Sequence, residues 1–191
     1  INSTSNLIFN TDPVTLMGSA GGTFTYVGFS GGSTEVLGRL TPTAGHGVVT
    51  ITNGATPSTL TFLDLGTRGA GATLDFKPGT GTIGFSGTSP TLTNSVLPGY
   101  ATFNGLDFVT LSGSNIAQYT GQTAWSGALA PTATVNYSIA GSASTSANGT
   151  VNTLKLTGGA ALTLGGTLGF TTDPGGLLFD NSTGNATITG A

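Results

Sequence analysis

The chain has 191 residues, of which only 6% are charged, and a net charge of −3 from seven acids and four bases. That balance leaves no basic patch for a phosphate backbone, so nucleic-acid recognition is not expected, and the lack of cysteine excludes a disulfide framework and every thiolate metal site. Thirty-three glycines and 54 Ser and Thr stand where charge is missing, a composition that suits pleated surfaces and tight turns, and no run of about 18 apolar residues could cross a bilayer as a helix.

The apolar residues come in short bursts bounded by Gly, Asn, Asp and Pro. In chain order the predicted strands are Leu7–Phe9, Thr23–Phe29, Val36–Leu40, Val48–Thr52, Thr59–Leu65, Ala72–Phe76, Thr82–Phe85 and Thr91–Leu97. They continue with Tyr100–Phe103, Phe108–Leu111, Thr134–Ile139, Val151–Leu156, Ala161–Leu164, Thr167–Phe170, Gly176–Phe179 and Ala186–Thr189. Most alternate with period two, as in Leu60-Thr61-Phe62 and Leu154-Lys155-Leu156, the signature of a strand buried on one face. Parity places Leu60, Phe62, Leu74, Phe76, Ile83 and Phe85 inward, with Thr61 and Thr73 on the opposite face. Asn115–Pro131 is the least strand-like stretch, and 115–147 as a whole reads as a lateral loop carrying Tyr119 and Trp125. No stretch has helical period, so the chain is expected to be all-β with little or no α-helix.

Many short strands fit either a sandwich of hairpins or a solenoid of coils. Hairpins call for Asn-Gly or Asp-Gly turns between most strand pairs, and the chain has Asn53-Gly54, Asn104-Gly105 and Asn148-Gly149. The other connections are Gly-Gly, Thr-Gly and Ser/Thr-rich corners, which suit a solenoid better. About twenty residues per coil would give about nine coils.

Candidate chemistry is sparse. His46 is the single histidine, and a triad with Ser58 and Asp64 is formally available, but no G-x-S-x-G elbow surrounds a serine. Asp64, Asp75 and Asp107 could stack on one face if successive coils align, which a carboxylate-pair hydrolase would need; corner and surface aspartates also serve as acceptors for turn N–H groups. Asp173 and Asp180 bracket a Gly-Gly turn, and Asp180-Asn181 could supply oxygens to calcium, but one or two carboxylates make a weak site. Asn2, Asn136, Asn148, Asn181 and Asn185 each head an N-x-S/T sequon, close to the number that chance gives at this composition. Trp125 and Tyr119 are the candidate glycan or surface contacts if exposed, or fillers of an apolar gap beneath their loop. Catalytic residues: none; metal: none; cofactor: none.

Several segments carry a family resemblance. Gly21-Gly-Thr-Phe-Thr-Tyr-Val-Gly with Ser33-Thr-Glu-Val-Leu-Gly-Arg-Leu, Ser58-Thr-Leu-Thr-Phe-Leu-Asp-Leu with Arg68-Gly-Ala-Gly-Ala-Thr-Leu-Asp-Phe, and Leu92 through Val109 are the main ones. With the ending Gly175-Gly-Leu-Leu-Phe…Asn185-Ala-Thr-Ile-Thr-Gly they resemble the autotransporter-associated β-strand repeat proteins, very long bacterial surface or secreted polypeptides. The resemblance implies a right-handed parallel β-helix, an extracellular or cell-surface location and a structural, adhesin-like role; it brings no active site and implies no enzyme. A member of that family is much longer than this chain, so 1–191 reads as a single β-solenoid block of a larger rod or filament. The block is expected to meet itself or sibling repeats end to end, since neither Ile1–Asn10 nor Asn185–Ala191 looks capped. An export signal is expected outside this segment. The alternative function is a glycan-binding module; a β-helix polysaccharide-degrading enzyme is a third, weaker one.

Overall fold

In a computed structural model of the chain, the described residues are 12–16, 21–97, 99–171 and 175–190. The expected strand Leu7–Phe9 and the Asn2 sequon lie outside them. Every regular element among the described residues is a strand, and none is a helix. Contacts divide these residues into two compact units. One takes the described residues up to Thr91, with Ala101–Asn104 and Leu111–Ala117; the other takes Leu92–Tyr100, Gly105–Thr110 and the chain from Gln118 on.

In the first unit the chain order is β1 (Val14–Leu16), β2 (Gly22–Val27), β3 (Thr34–Leu37), β4 (Leu40–Pro42), β5 (His46–Thr52), β6 (Thr59–Phe62), β7 (Thr73–Lys77), β8 (Thr82–Phe85) and β9 (Ala101–Phe103). Strands β10 (Asp107–Ser112) and β11 (Asn115–Gln118) are each divided between the units. The chain visits three ladders in rotation. Strands β2, β5, β7 and β9 pair in parallel, as do β3, β6 and β8, and β1 pairs in parallel with β4, where Leu40 also bridges Leu65. A strand meets its ladder partner after 23 residues (Thr59 to Thr82) at the least and 27 (His46 to Thr73) at the most. That is longer than the expected twenty, because Gly-rich corners such as Gly31-Gly32 and Gly69–Gly71 add residues between strands.

Parallel pairing with no slip brings like residues over like. Phe24, Val49, Phe76 and Phe103 form one column, Leu37, Phe62 and Phe85 a second, and Glu35, Leu60 and Ile83 a third. Phe24 and Phe62 meet edge to face with ring centroids 6.4 Å apart, so the core lies between two ladders. Leu60, Phe62, Leu74, Phe76, Ile83 and Phe85 are all buried as expected, while Thr73 is exposed and Thr61 half-buried. Outward hydroxyls stack in the same register, as in Thr34, Thr59 and Thr82.

The ladders are not wholly parallel, which corrects the expectation of coils alone. β11 runs antiparallel to β8, with Asn115 opposite Gly84. Gly84 permits the approach: a Cβ there would lie 2.6 Å from the Asn115 amide oxygen. The expected strand Thr91–Leu97 is instead a tight antiparallel turn, in which Thr93 and Val96 exchange both backbone hydrogen bonds at 2.9 and 3.1 Å. Its central residues, Asn94 and Ser95, have φ of 50° and 70°, the pattern of a type I′ turn.

The second unit holds β12 (Thr123–Ala124), β13 (Gly127–Leu129), β14 (Asn136–Ile139), β15 (Ser142–Thr145), β16 (Gly149–Val151), β17 (Thr153–Thr157), β18 (Ala161–Leu164), β19 (Leu168–Phe170), β20 (Gly176–Asp180) and β21 (Thr187–Gly190). Its ladders among the described residues are parallel: β12-β14-β17-β20, β13-β15-β18-β21 and β16-β19. The stretch 115–147 therefore contains strands β11 to β15, of which the sequence anticipated β14, within Thr134–Ile139, and not the other four. Small inward residues hid them: Ala143 and Thr145 are buried on β15, yet Ser-Ala-Ser-Thr has no apolar burst. Here too residues stack, with Tyr137, Leu154 and Leu177 in one column, Ile139, Leu156 and Phe179 in another, and Ala143, Leu162 and Ile188 in a third.

Candidate functional site

Three features of the second unit could do something beyond holding the chain together. The first is an open edge. Leu154 and Leu156 are fully buried, but the residues that follow them in their columns, Leu177 and Phe179, are 43% and 39% exposed. β20 and β21 end their ladders, so their outer backbone groups have no ladder partner among the described residues. The other end of the core is closed. Trp125 follows β12, donates its backbone N–H to the Ser138 carbonyl at 2.8 Å and packs on Tyr137 with ring centroids 5.2 Å apart. At 2% exposure it is a core residue, so of its two readings the filler of an apolar gap holds and the exposed glycan contact does not: its bulk shuts the column head that small β12 residues would leave open.

The second feature is a shallow hollow of about 400 Å³ lined by Asn94, Ser95, Tyr119, Gly121, Thr123, Thr134, Val135 and Asn136. Tyr119, half-buried, belongs to it, so the structure separates the two aromatic residues that the sequence paired. Its walls are fixed by a buried amide network that sequence reading missed. Asn136 donates to the Asn94 carbonyl at 2.6 Å and to the Tyr119 hydroxyl at 3.0 Å, and that hydroxyl donates to the Gly121 carbonyl at 2.9 Å. Behind it, Asn152 and Thr153 donate to Asn136 Oδ1 at 2.7 and 2.8 Å, and Thr171 donates to Asn152 Oδ1 at 3.0 Å. Asn136 is 4% exposed and Asn152 fully buried, so the Asn136 sequon is not accessible in the fold. Left-handed φ at two successive non-glycine residues costs about 1–3 kcal/mol each, and Asn136 holds that turn from below. No charged side chain lines the hollow.

The third is a buried ionic cluster. Lys155 lies on β17 between the inward Leu154 and Leu156, and therefore points to the other face of its ladder. There its amine pairs with the Asp107 carboxylate, while Asp180 Oδ2 lies 3.6 Å away. Gln118 donates to Asp107 Oδ2 at 2.8 Å. Lys155 and Asp107 are each only 9% exposed. Hydrogen bonds from the Ser182 hydroxyl and N–H, with the Lys155 charge, hold the Asp180 carboxyl below the usual aspartate range despite its partial desolvation.

The remaining candidates are dispersed. His46 opens β5, exposed, with its ring nitrogen 2.8 Å from Thr73 Oγ1; Ser58 is buried against Ser33, 3.2 Å between hydroxyls; Asp64 is held in both branches by Arg39 at 2.7 and 2.8 Å. Each member of the formal triad thus has a different partner. That guanidinium is also what lowers the Asp64 pKa. Asp75 is 2% exposed and accepts from Thr102 at 2.9 Å, with Lys77 3.4 Å away. Asp173 lies outside the described residues. No protein-family model, no curated protein and no solved structure matches the chain.

Proposed function

We propose that the chain is a structural block of an extracellular bacterial β-solenoid, akin to the autotransporter-associated β-strand repeat proteins, in which coils of a right-handed parallel β-helix add end to end to form a surface fibre or adhesin shaft. The observation that carries this reading is the open column end: Leu177 and Phe179 sit in register over buried Leu154 and Leu156, themselves exposed, on a strand that ends its ladder. An apolar column that stops half-exposed on a bare strand edge is a template for one more coil. The occupant is a coil of a second copy or of a sibling repeat. In this reading the chain is not an enzyme and takes no cofactor, and its acids serve as acceptors and ion-pair partners within ladders.

The test is sedimentation velocity across a hundredfold range of concentration, for the chain and for Leu177→Lys/Phe179→Lys. The chain should grow with concentration, and the double variant, altered only at exposed positions, should stay monomeric with unchanged circular dichroism. A monodisperse monomer of the chain at every concentration, or growth of the variant equal to the parent, would overturn it.

A second reading has its own observation. The uncharged hollow beside Tyr119, held rigid by Asn136, suits a neutral sugar ring, whose hydroxyls pair with amides and hydroxyls and whose apolar face stacks on an aromatic ring. Titration of neutral oligosaccharides against the chain, followed by Tyr119 and Asn94 resonances, checks it: saturable shifts support a glycan-binding role, and their absence removes it.

A further inference from the structure

The ionic cluster on the outer face of β17 contains every group that an amide condensation needs. We propose that Lys155 Nζ and Asp107 Cγ become joined by an intramolecular amide bond, formed by the folded chain itself. The amine is in contact with the carboxylate, 48 residues away in sequence, and both residues are more than nine-tenths buried. Contact of this kind replaces a bimolecular encounter with an effective concentration of about 10⁵–10⁸ M for well-aligned groups. Ordinary Lys and Asp side chains in water do not condense, since water competes at about 55 M and both groups are charged. In this cluster, taking the ion pair out of water is costly, and a neutral amide removes both charges at once.

The step is balanced without a cofactor, nucleotide or oxidant. One proton passes from the Lys155 ammonium to the Asp107 carboxylate, leaving an amine and a carboxylic acid. The Nζ lone pair adds to Cγ, and the negative charge that grows on Oδ2 is met by the Gln118 Nε2–H already donating there at 2.8 Å. Asp180, with Oδ2 3.6 Å from Nζ, takes the second proton from the attacking nitrogen and returns it to the hydroxyl on Cγ. The Cγ–OH bond breaks and one water leaves. Asp180 is kept ionised for that task by Ser182. The product ties Asp107 of β10 covalently to the middle of a parallel ladder, and closing a long loop restricts the unfolded chain as a disulfide does. In a chain with no cysteine, it is a cross-link that reduction cannot open.

The experiment is intact mass spectrometry of the full chain after folding, followed by proteolysis. The chain should be lighter than its sequence by one water, and digestion should give one branched peptide joining the Asp107 and Lys155 segments, resistant to boiling and reductant. Lys155→Met and Asp180→Asn should both return the full mass; in Asp180→Asn the two reacting residues remain, and unchanged circular dichroism shows that it has folded. A folded parent chain at full mass, with Lys155 and Asp107 in separate unmodified peptides, would reduce the cluster to an ion pair and overturn the proposal. A water loss that persists in Lys155→Met would also overturn it, by locating the dehydration elsewhere.

Discussion

At the residue scale, parity within a burst was enough to orient side chains. Phe76 is fully buried, stacked in register between Val49 and Phe103, so Phe76→Ala should destabilise by about 3–5 kcal/mol, measured by urea denaturation. Thr73→Ser, at an exposed hydroxyl on the same strand, should change stability by less than about 0.5 kcal/mol. Parity did not reveal which aromatic residues of an irregular stretch face water. Trp125 and Tyr119 stand six residues apart among small polar neighbours, and only the pairing of β12 with β14 sends one into the core and leaves the other on a hollow. The buried polar residues were the least legible. Asn136, Asn152 and Lys155 carry no mark of burial in the sequence, and their burial follows from what the tertiary fold lays over them. Asp64 gives a pH test with a definite sign. Arg39 lowers its pKa in the folded chain, so its contribution is fully present above the unfolded aspartate pKa of about 3.9 and is lost as pH falls through the lower folded value. The melting-temperature difference between the chain and Asp64→Asn, modest for so exposed a pair, should shrink as pH falls below the unfolded aspartate value and stay constant across neutral pH.

At the element scale, strands with branched or aromatic bursts were found within a residue or two: Thr82–Phe85 and Ala161–Leu164 coincide with β8 and β18. Strands built of small residues were missed, as with β13 and β15, because inward Gly127 on the first and inward Ala143 and Thr145 on the second give no hydropathic alternation. Thr91–Leu97 failed for the opposite reason. Its alternation is that of a strand, but Asn94 and Ser95 turn the backbone, and Asn136 from β14 stabilises that turn through a contact 42 residues distant. The amide network behind it links β14 to β17 and should be sensitive to deletion. Asn152→Ala removes a donor to Asn136 Oδ1 and an acceptor for Thr171, and should cost about 1–3 kcal/mol, since it strips partners from buried polar groups. Thermal denaturation of Asn152→Ala beside the exposed control Asn185→Ala measures that difference.

At the scale of the whole molecule, the two units share one construction rule: a strand pairs in parallel with a strand some twenty residues further on, and side chains stack without slip. Stability in such an array is local, each ladder step resting on its neighbours, and under the proposed function the β20–β21 edge is where a further coil adds. The rule was visible in the sequence as recurring short bursts with Gly-rich corners. Repeat length was not, because corners of unequal length set the offset between paired residues anywhere from 14 (Thr123 to Tyr137) to 26 (Ala161 to Thr187) in a single unit. The measurement that bears most directly on the central claim is amide hydrogen exchange of β20 and β21 at low and high concentration. If coils add at that edge, the outward amides of Leu177, Phe179 and Ile188, which alternate with the inward-donating Gly176 and Thr187, should exchange freely in dilute solution and become protected, together, as particles lengthen. Free exchange at both concentrations while particles grow, or full protection already in the dilute monomer, would contradict it.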